Sequence, residues 1–192
     1  MPIPWEAPRM ITDLESYLRY FDGVRRRTAR DVAALPPAAG AWRPPARAGE
    51  TGEAGWSIGQ IVDHIGSARL YFASAYRGEG WIGIPPDPRR SDQATWLPWL
   101  EESATRFVAL VKDTPPDWLT RRIESLDAPP DTPGSRLSGW RILMMAIEHE
   151  VHHRSQIDAY AGLAGWPVPD IFGRSVEDVA ARATEQRRKH GG

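Results

Sequence analysis

The run Ile142-Leu143-Met144-Met145-Ala146-Ile147 constrains this chain more than any other stretch of it. Six consecutive apolar residues leave no polar face, so a helix containing them has to be enclosed by other elements rather than lie on a surface. The punctuation around the run fits a long helix, with Ser138 as its cap and Gly162, Gly165 and Pro167 as stop signals, giving Gly139 to about Leu163. The rest of the chain must supply helices to wrap it.

Those helices are legible as apolar residues at helical spacing. From Thr12 to about Ala34 the inward positions are Leu14, Tyr17, Leu18, Phe21 and Val24, and the segment stops at Leu35-Pro36-Pro37. Ser57 with Gln60 reads as a capping box and Trp56 as a staple onto Ile61, opening a helix from Ile58 to Arg77. Its stripe is Ile58, Ile61, Val62, Ile65, Ala68, Phe72 and Ala75, and Gly78 and Gly80 end it. A third helix runs from Trp96 to Lys112 with Leu97, Leu100, Ala104, Phe107, Val108 and Val111 inward and Pro98 in its first turn. Ser175 with Asp178 resembles a capping box for a short, highly charged fifth helix, from Val176 to about Arg188.

The connections are long. Residues 36–55 are rich in Pro, Gly and Ala without periodicity, 78–92 form a second such link, and 113–137 hold five prolines in an irregular crossing segment with room for a short extended piece. No internal repeat and no alternation long enough to build a sheet is present. The expected architecture is all-α: a four-helix bundle with long loops and a short C-terminal helix, one domain over residues 1–192 with its core at about 10–165 and an extension from about 166 to 192.

Composition removes several functions. The formal net charge of −1 gives no reason to expect nucleic acid or an anionic membrane surface, and Arg25, Arg26, Arg27 and Arg30 read as a solvated helix face. The absence of cysteine excludes disulfides, thiolate-ligated zinc, iron–sulfur clusters and a cysteine nucleophile. No stretch approaches the roughly 20 apolar residues of a membrane span, and MPIPWEAPRM lacks the apolar run of a signal peptide, so a cytoplasmic protein is expected.

The chemistry concentrates directly after the apolar run, in Ile147-Glu-His-Glu-Val-His-His-Arg-Ser-Gln-Ile-Asp-Ala-Tyr160, which holds three of the five histidines. On a helix, His149 and His153 differ in direction by only about 40° and share a face with Ile142, Ala146, Ile157 and Tyr160. His152 swings away toward Arg141 and Glu148. Two inward histidines would be costly if charged, and a metal resolves this by binding neutral imidazoles. His64 lies on an inward edge of its own helix, about two turns in, where an antiparallel bundle brings it level with the middle of the histidine-bearing helix. Three histidines with one or two open positions would suit zinc, nickel or a similar divalent ion; the alternative is a set of hydrogen-bonded core histidines.

Read literally, His149-Glu150-Val151-His152-His153 is the H-E-x-x-H of a zinc peptidase. The extended form would need glycine at 156 and histidine at 159, where this chain has Gln156 and Ala159. Glu177 is the one downstream carboxylate at a tolerable distance, and it sits where a helix N-terminus attracts acidic residues in any case. No strand is available to bind a peptide. A peptidase is not expected.

The tryptophan-led opening Trp56-Ser-Ile-Gly-Gln-Ile-Val-Asp-His64-Ile65, the late His149-Glu-Val-His-His153-Arg-Ser-Gln-Ile157 and the first amphipathic helix together resemble the DinB/YfiT-like family of metalloenzymes, over nearly the whole chain. Ser155 replaces the glycine usual in that ending, and Val168 to Val179 also resembles the segment that follows the last core helix in some members. The resemblance implies a four-helix bundle with a divalent metal on His64, His149 and His153. It further implies a homodimer and a small-molecule substrate, and the charge and hydropathy above give the expectation of no nucleic acid and no membrane. In the wider superfamily it points to thiol S-transferases and isomerases, in which the metal lowers the pKa of a low-molecular-weight thiol and delivers it to an electrophile. The alternatives are a hydrolase in which the ion activates water, and a non-catalytic metal-binding stress protein. Gln156 and Tyr160 are expected in the pocket, with Glu150 a further candidate. Trp42, Trp81 and Trp118 are expected as a lid, a subunit contact or covers for the bundle ends.

Overall fold

The structure is a computed structural model that describes residues 11–45, 52–124, 136–170 and 173–190. The opening segment MPIPWEAPRM, part of the Pro/Gly-rich connection and much of the proline-bearing crossing segment lie outside the described residues. Five α-helices carry these parts of the chain: α1 Leu14–Ala33, α2 Ile58–Arg77, α3 Trp96–Val111, α4 Gly139–Leu163 and α5 Val176–His190.

Capping chemistry sets most of the boundaries. Asp13 accepts from the Ser16 N–H at 2.7 Å and opens α1. Ser57 and Gln60 exchange both bonds of a capping box at α2, and Gly78 closes it at φ 76°, a conformation that favours glycine. Ser138 accepts from the Arg141 N–H at 3.1 Å at the start of α4, and Ser175 with Asp178 forms the reciprocal pair before α5. The only strands among the described residues are Arg122–Glu124 and Arg136–Ser138, an antiparallel ribbon with Ile123 opposite Leu137 that leads into α4.

α2 packs against α3 and α4, and α1 packs against the same two helices, so α1 and α2 stand on opposite corners of the bundle. Consecutive helices on opposite corners need a long crossing connection, which accounts for the length of the α1–α2 segment. α5 buries none of its residues. No helix among the described residues is long and apolar enough to cross a membrane.

The inward face of α3 carries Leu100, Ala104, Phe107 and Val111 as expected, but in its first turn it takes in Trp96 and Trp99 instead of Leu97. Leu97, expected inward, is 41% exposed, while Trp96 and Trp99 are buried. The reason lies on α2: Gly59 and Gly66 present bare backbone to these indoles, and a Cβ on Gly66 would stand 2.2 Å from Trp99 Nε1. Trp99 Nε1 donates to the Asp63 carbonyl at 3.2 Å and Trp96 Nε1 to the Arg90 carbonyl at 2.7 Å, so both buried indoles are satisfied.

The core has two apolar parts. One surrounds Tyr17, Phe21, Phe72, Phe107 and Ile142; the other surrounds Ile58, Ile61, Ile65, Trp96 and Ile157. At mid-bundle sits a buried polar layer to which all four bundle helices contribute. Arg69 of α2 donates to both oxygens of Glu150 on α4, at 2.9 and 2.7 Å, and to the Leu100 carbonyl and Ser103 hydroxyl of α3. Thr28 of α1 donates to Glu150 Oε1 at 2.8 Å.

Candidate metal centre

The antiparallel packing of α2 on α4 brings His64 level with His149 and His153. The Nε2 atoms of His64 and His149 are 2.9 Å apart, and the three ring centroids are 4.5 to 4.7 Å from one another. Together they form one of two groups, among the described residues, whose metal-capable atoms lie within 4.8 Å of each other; the second is Glu53, His152 and His153.

The surroundings of all three inner histidines favour the neutral imidazole. Burial, followed by the neighbouring His153, His64 and His152, pushes His149 down to about 3. Burial and then His153 lower His64, against the opposing charge of Glu53. His153 is also lowered, first by burial, with Gln156 and Glu53 working against the shift. Neutral imidazoles with converging nitrogens are the donor set that zinc or nickel takes, so the residues fit a divalent ion.

Gln156 gives the cluster its orientation. Its Oε1 lies 3.0 Å from His153 Nδ1, while its Nε2 donates to the Glu53 carbonyl at 3.0 Å and to the Tyr160 hydroxyl at 3.1 Å. With the amide nitrogen so engaged, Oε1 is the acceptor, so His153 Nδ1 carries the proton and its Nε2 keeps the lone pair. The same amide ties the short 3₁₀ turn Gly52–Gly55 to α4 and so places Trp56 over the site. Trp56, expected as a staple, packs its ring 4.8 Å from His64 and stacks 6.2 Å from His153.

The other candidates fall elsewhere. Glu150, one residue from His149, points away into the polar layer, where both its oxygens are bonded to Arg69; it does not face the histidines. Tyr160 is buried with its ring 5.0 Å from Trp42 and is joined to the centre through Gln156. His152 is exposed, as its angle on the helix implied. Glu177 lies on α5, none of whose residues is buried, and belongs to neither metal-capable group. Trp42 covers one end of the bundle with Trp166, Trp118 packs on Tyr76, and Trp81 packs on Tyr71 and Phe72 beside the site.

Two adjoining cavities open onto His64. One, of about 370 Å³, is lined by His64, His149, Ser67, Tyr71, Phe72 and Ile84; the other, of about 190 Å³, by Trp56, Gln60, Asp63, His64 and Pro86 among others. Their outer wall is the link after α2, folded back along that helix. Asp63 holds it there by accepting from the Asp87 N–H at 3.0 Å. Reading the sequence alone missed Asp63, Ser67 and this wall; one clue was available, since Asp63 is a charged residue among the apolar residues of α2.

A four-helix bundle with a three-histidine cluster between two of its helices and cavities at its open side defines the class to which this protein belongs. The DinB family model matches residues 10–188, and the chain belongs to the DinB family. No curated protein matches it. Among solved structures it is similar to a DinB-like protein from Bacillus cereus ATCC 10987, with 21% identity, a TM-score of 0.63, and coverage of 84% of this chain and 99% of the other. It is also similar to the DinB-like protein YjoA from Bacillus subtilis, at 18% identity and a TM-score of 0.58 over 81% of this chain and 96% of that one. YfiT from Bacillus subtilis, described as a probable metal-dependent hydrolase with an unusual four-helix bundle topology, matches at 18% identity and a TM-score of 0.58, over 87% and 95% of the two chains. At these identities the likeness is one of fold.

Proposed function

We propose that this protein is a metal-dependent enzyme in which His64, His149 and His153 hold zinc or nickel, and that it transfers a low-molecular-weight thiol to a small electrophile. The observation that carries this reading is the meeting of two cavities at one cluster of neutral imidazoles, which gives two reactants access to a single centre. When bound, the ion supplies Lewis acidity that lowers the pKa of a thiol or of water.

The protein's own residues do the rest. Gln156 keeps His153 in the tautomer whose Nε2 faces inward. Trp56 shields the rings of His64 and His153 on one side. Tyr71, Phe72 and Ile84 offer an apolar wall to the electrophile. Nothing in this scheme needs a protein thiol, in keeping with a chain free of cysteine.

A hydrolase is the second reading, favoured by the description of YfiT; there the same centre activates water, and one small substrate occupies the cavities. Metal-loaded protein assayed against a panel of electrophiles, amides and esters separates the two. Turnover that requires added thiol supports transfer, and turnover without thiol supports hydrolysis. Inactivity in both, with a large loss of thermal stability on chelation, supports a non-catalytic metal protein. Metal analysis of the purified protein and of the His64→Ala and His153→Ala variants tests the triad itself: retained stoichiometric metal in both variants refutes it. Homodimerisation belongs to the proposal on the family resemblance, and sedimentation velocity reads it directly.

A further inference from the structure

We propose that Glu53 and His152 form an outer, solvent-facing cation station that shares His153 with the inner triad and through which a divalent ion reaches it. The inference rests on the reading of His64, His149 and His153 as the ion's resting site.

The two metal-capable groups overlap in His153 alone. Its Nδ1 proton is committed to Gln156 Oε1, so a single nitrogen lone pair remains. One lone pair serves one ion. The two groups therefore describe alternative positions of the same ion, with His153 as the pivot between them, rather than two sites filled together.

Their chemistry differs in the direction that inward transfer requires. The inner group is three partly or fully buried imidazoles with no charge, whereas Glu53 and His152 are exposed and Glu53 brings a negative charge. A carboxylate at a solvated rim attracts a hydrated dication and lets it keep part of its water. Exchange of Glu53 and His152 for His64 and His149 then completes an all-imidazole shell, a donor set that suits zinc and nickel. The Glu53 backbone is held for this by the Gln156 amide, which also fixes His153, so station and pivot are aligned by one side chain.

The test uses full-length protein with Co²⁺ as the probe. Association is followed by quenching of tryptophan emission, for which Trp56 stands beside the site, and release is followed into excess EDTA. A station on the path accelerates both directions equally, so the Glu53→Gln/His152→Asn double variant should slow association and release alike, by about ten-fold. Its Co²⁺ absorption spectrum should match that of the wild type, and its equilibrium affinity should change far less than its rates. Wild-type rates in the double variant overturn the proposal. So does a weakened affinity with an altered Co²⁺ spectrum, which would make Glu53 or His152 a ligand of the resting site. Failure of the wild type itself to take up Co²⁺ brings down the triad reading, a result distinct from either of these.

Discussion

Arg69 and Glu150 form a two-pronged ion pair across the centre of the bundle, each with only 2% of its side chain exposed. The pair belongs to the fold and not to the histidine centre next to it. Removing one partner of such a pair leaves a buried charge uncompensated, at a cost of about 3–5 kcal/mol. Glu150→Ala is therefore expected to lower the melting temperature by roughly 10 °C while leaving metal stoichiometry unchanged. The double variant Arg69→Met/Glu150→Leu should recover much of the loss. Thermal melts and metal analysis of the three proteins check this, and loss of metal in a folded Glu150 variant would return Glu150 to the centre.

Gln156→Leu removes the acceptor that fixes the His153 tautomer and the tether on the Gly52–Gly55 turn, while keeping side-chain volume. Loss of such an outer hydrogen bond typically weakens metal binding by about 10–100-fold. Competition titration with a chromogenic chelator measures it; Gln156→Glu, which still accepts from Nδ1, should retain more affinity than the leucine variant.

Gly66→Ala should destabilise the bundle through contact alone. The added methyl would lie 2.2 Å from the Trp99 indole, so the α2–α3 seam has to open, with an expected cost of about 1–3 kcal/mol. Chemical denaturation gives the value. The double variant Gly66→Ala/Trp99→Leu, with room restored, should lose less than the two single changes added together.

Metal-free protein should lose stability on acidification. A histidine titrates near about 6.5 when unfolded, whereas burial lowers all three inner histidines and takes His149 to about 3. Below about 6.5 the unfolded chain binds more protons than the folded one, so this contribution is present above that pH and is lost as the pH falls toward about 3. Asp158 acts in the opposite sense. Burial, then the charge of Asp31, raises its carboxyl to about 6, so its stabilising protonated form is lost as the pH rises toward that value. Melting temperatures between about pH 7 and 4 should fall for the wild type and fall more steeply for Asp158→Asn.

Local signals carried much of this fold into view, and tertiary ones did not. The bounds of α2 and α4 follow from Ser57, Gln60, Gly78 and Ser138, whose hydrogen bonds act within a few residues. The first turn of α3 could not be read the same way, because Trp96, Leu97, Trp99 and Leu100 are all apolar and periodicity does not rank them. The choice was made by glycines 59 and 66 on another helix. In the site, the angular spacing of His149 and His153 and the depth of His64 in α2 were enough to bring the three together. Glu150, Gln156 and Glu53 needed the folded chain, since their roles depend on Arg69, on the Tyr160 hydroxyl and on a turn about 100 residues away in sequence.

α4 presents Glu150 to Arg69, His149 and His153 to His64, and Gln156 to the Glu53 carbonyl, each from its own angle around a single helical axis. One inserted or deleted residue anywhere between positions 150 and 156 would turn everything beyond it by about 100° and exchange these assignments at a stroke. The helix behaves as a reading frame: substitutions in it can be compensated one at a time, whereas a change of length cannot, so length variation in such chains has to collect in the connections between helices.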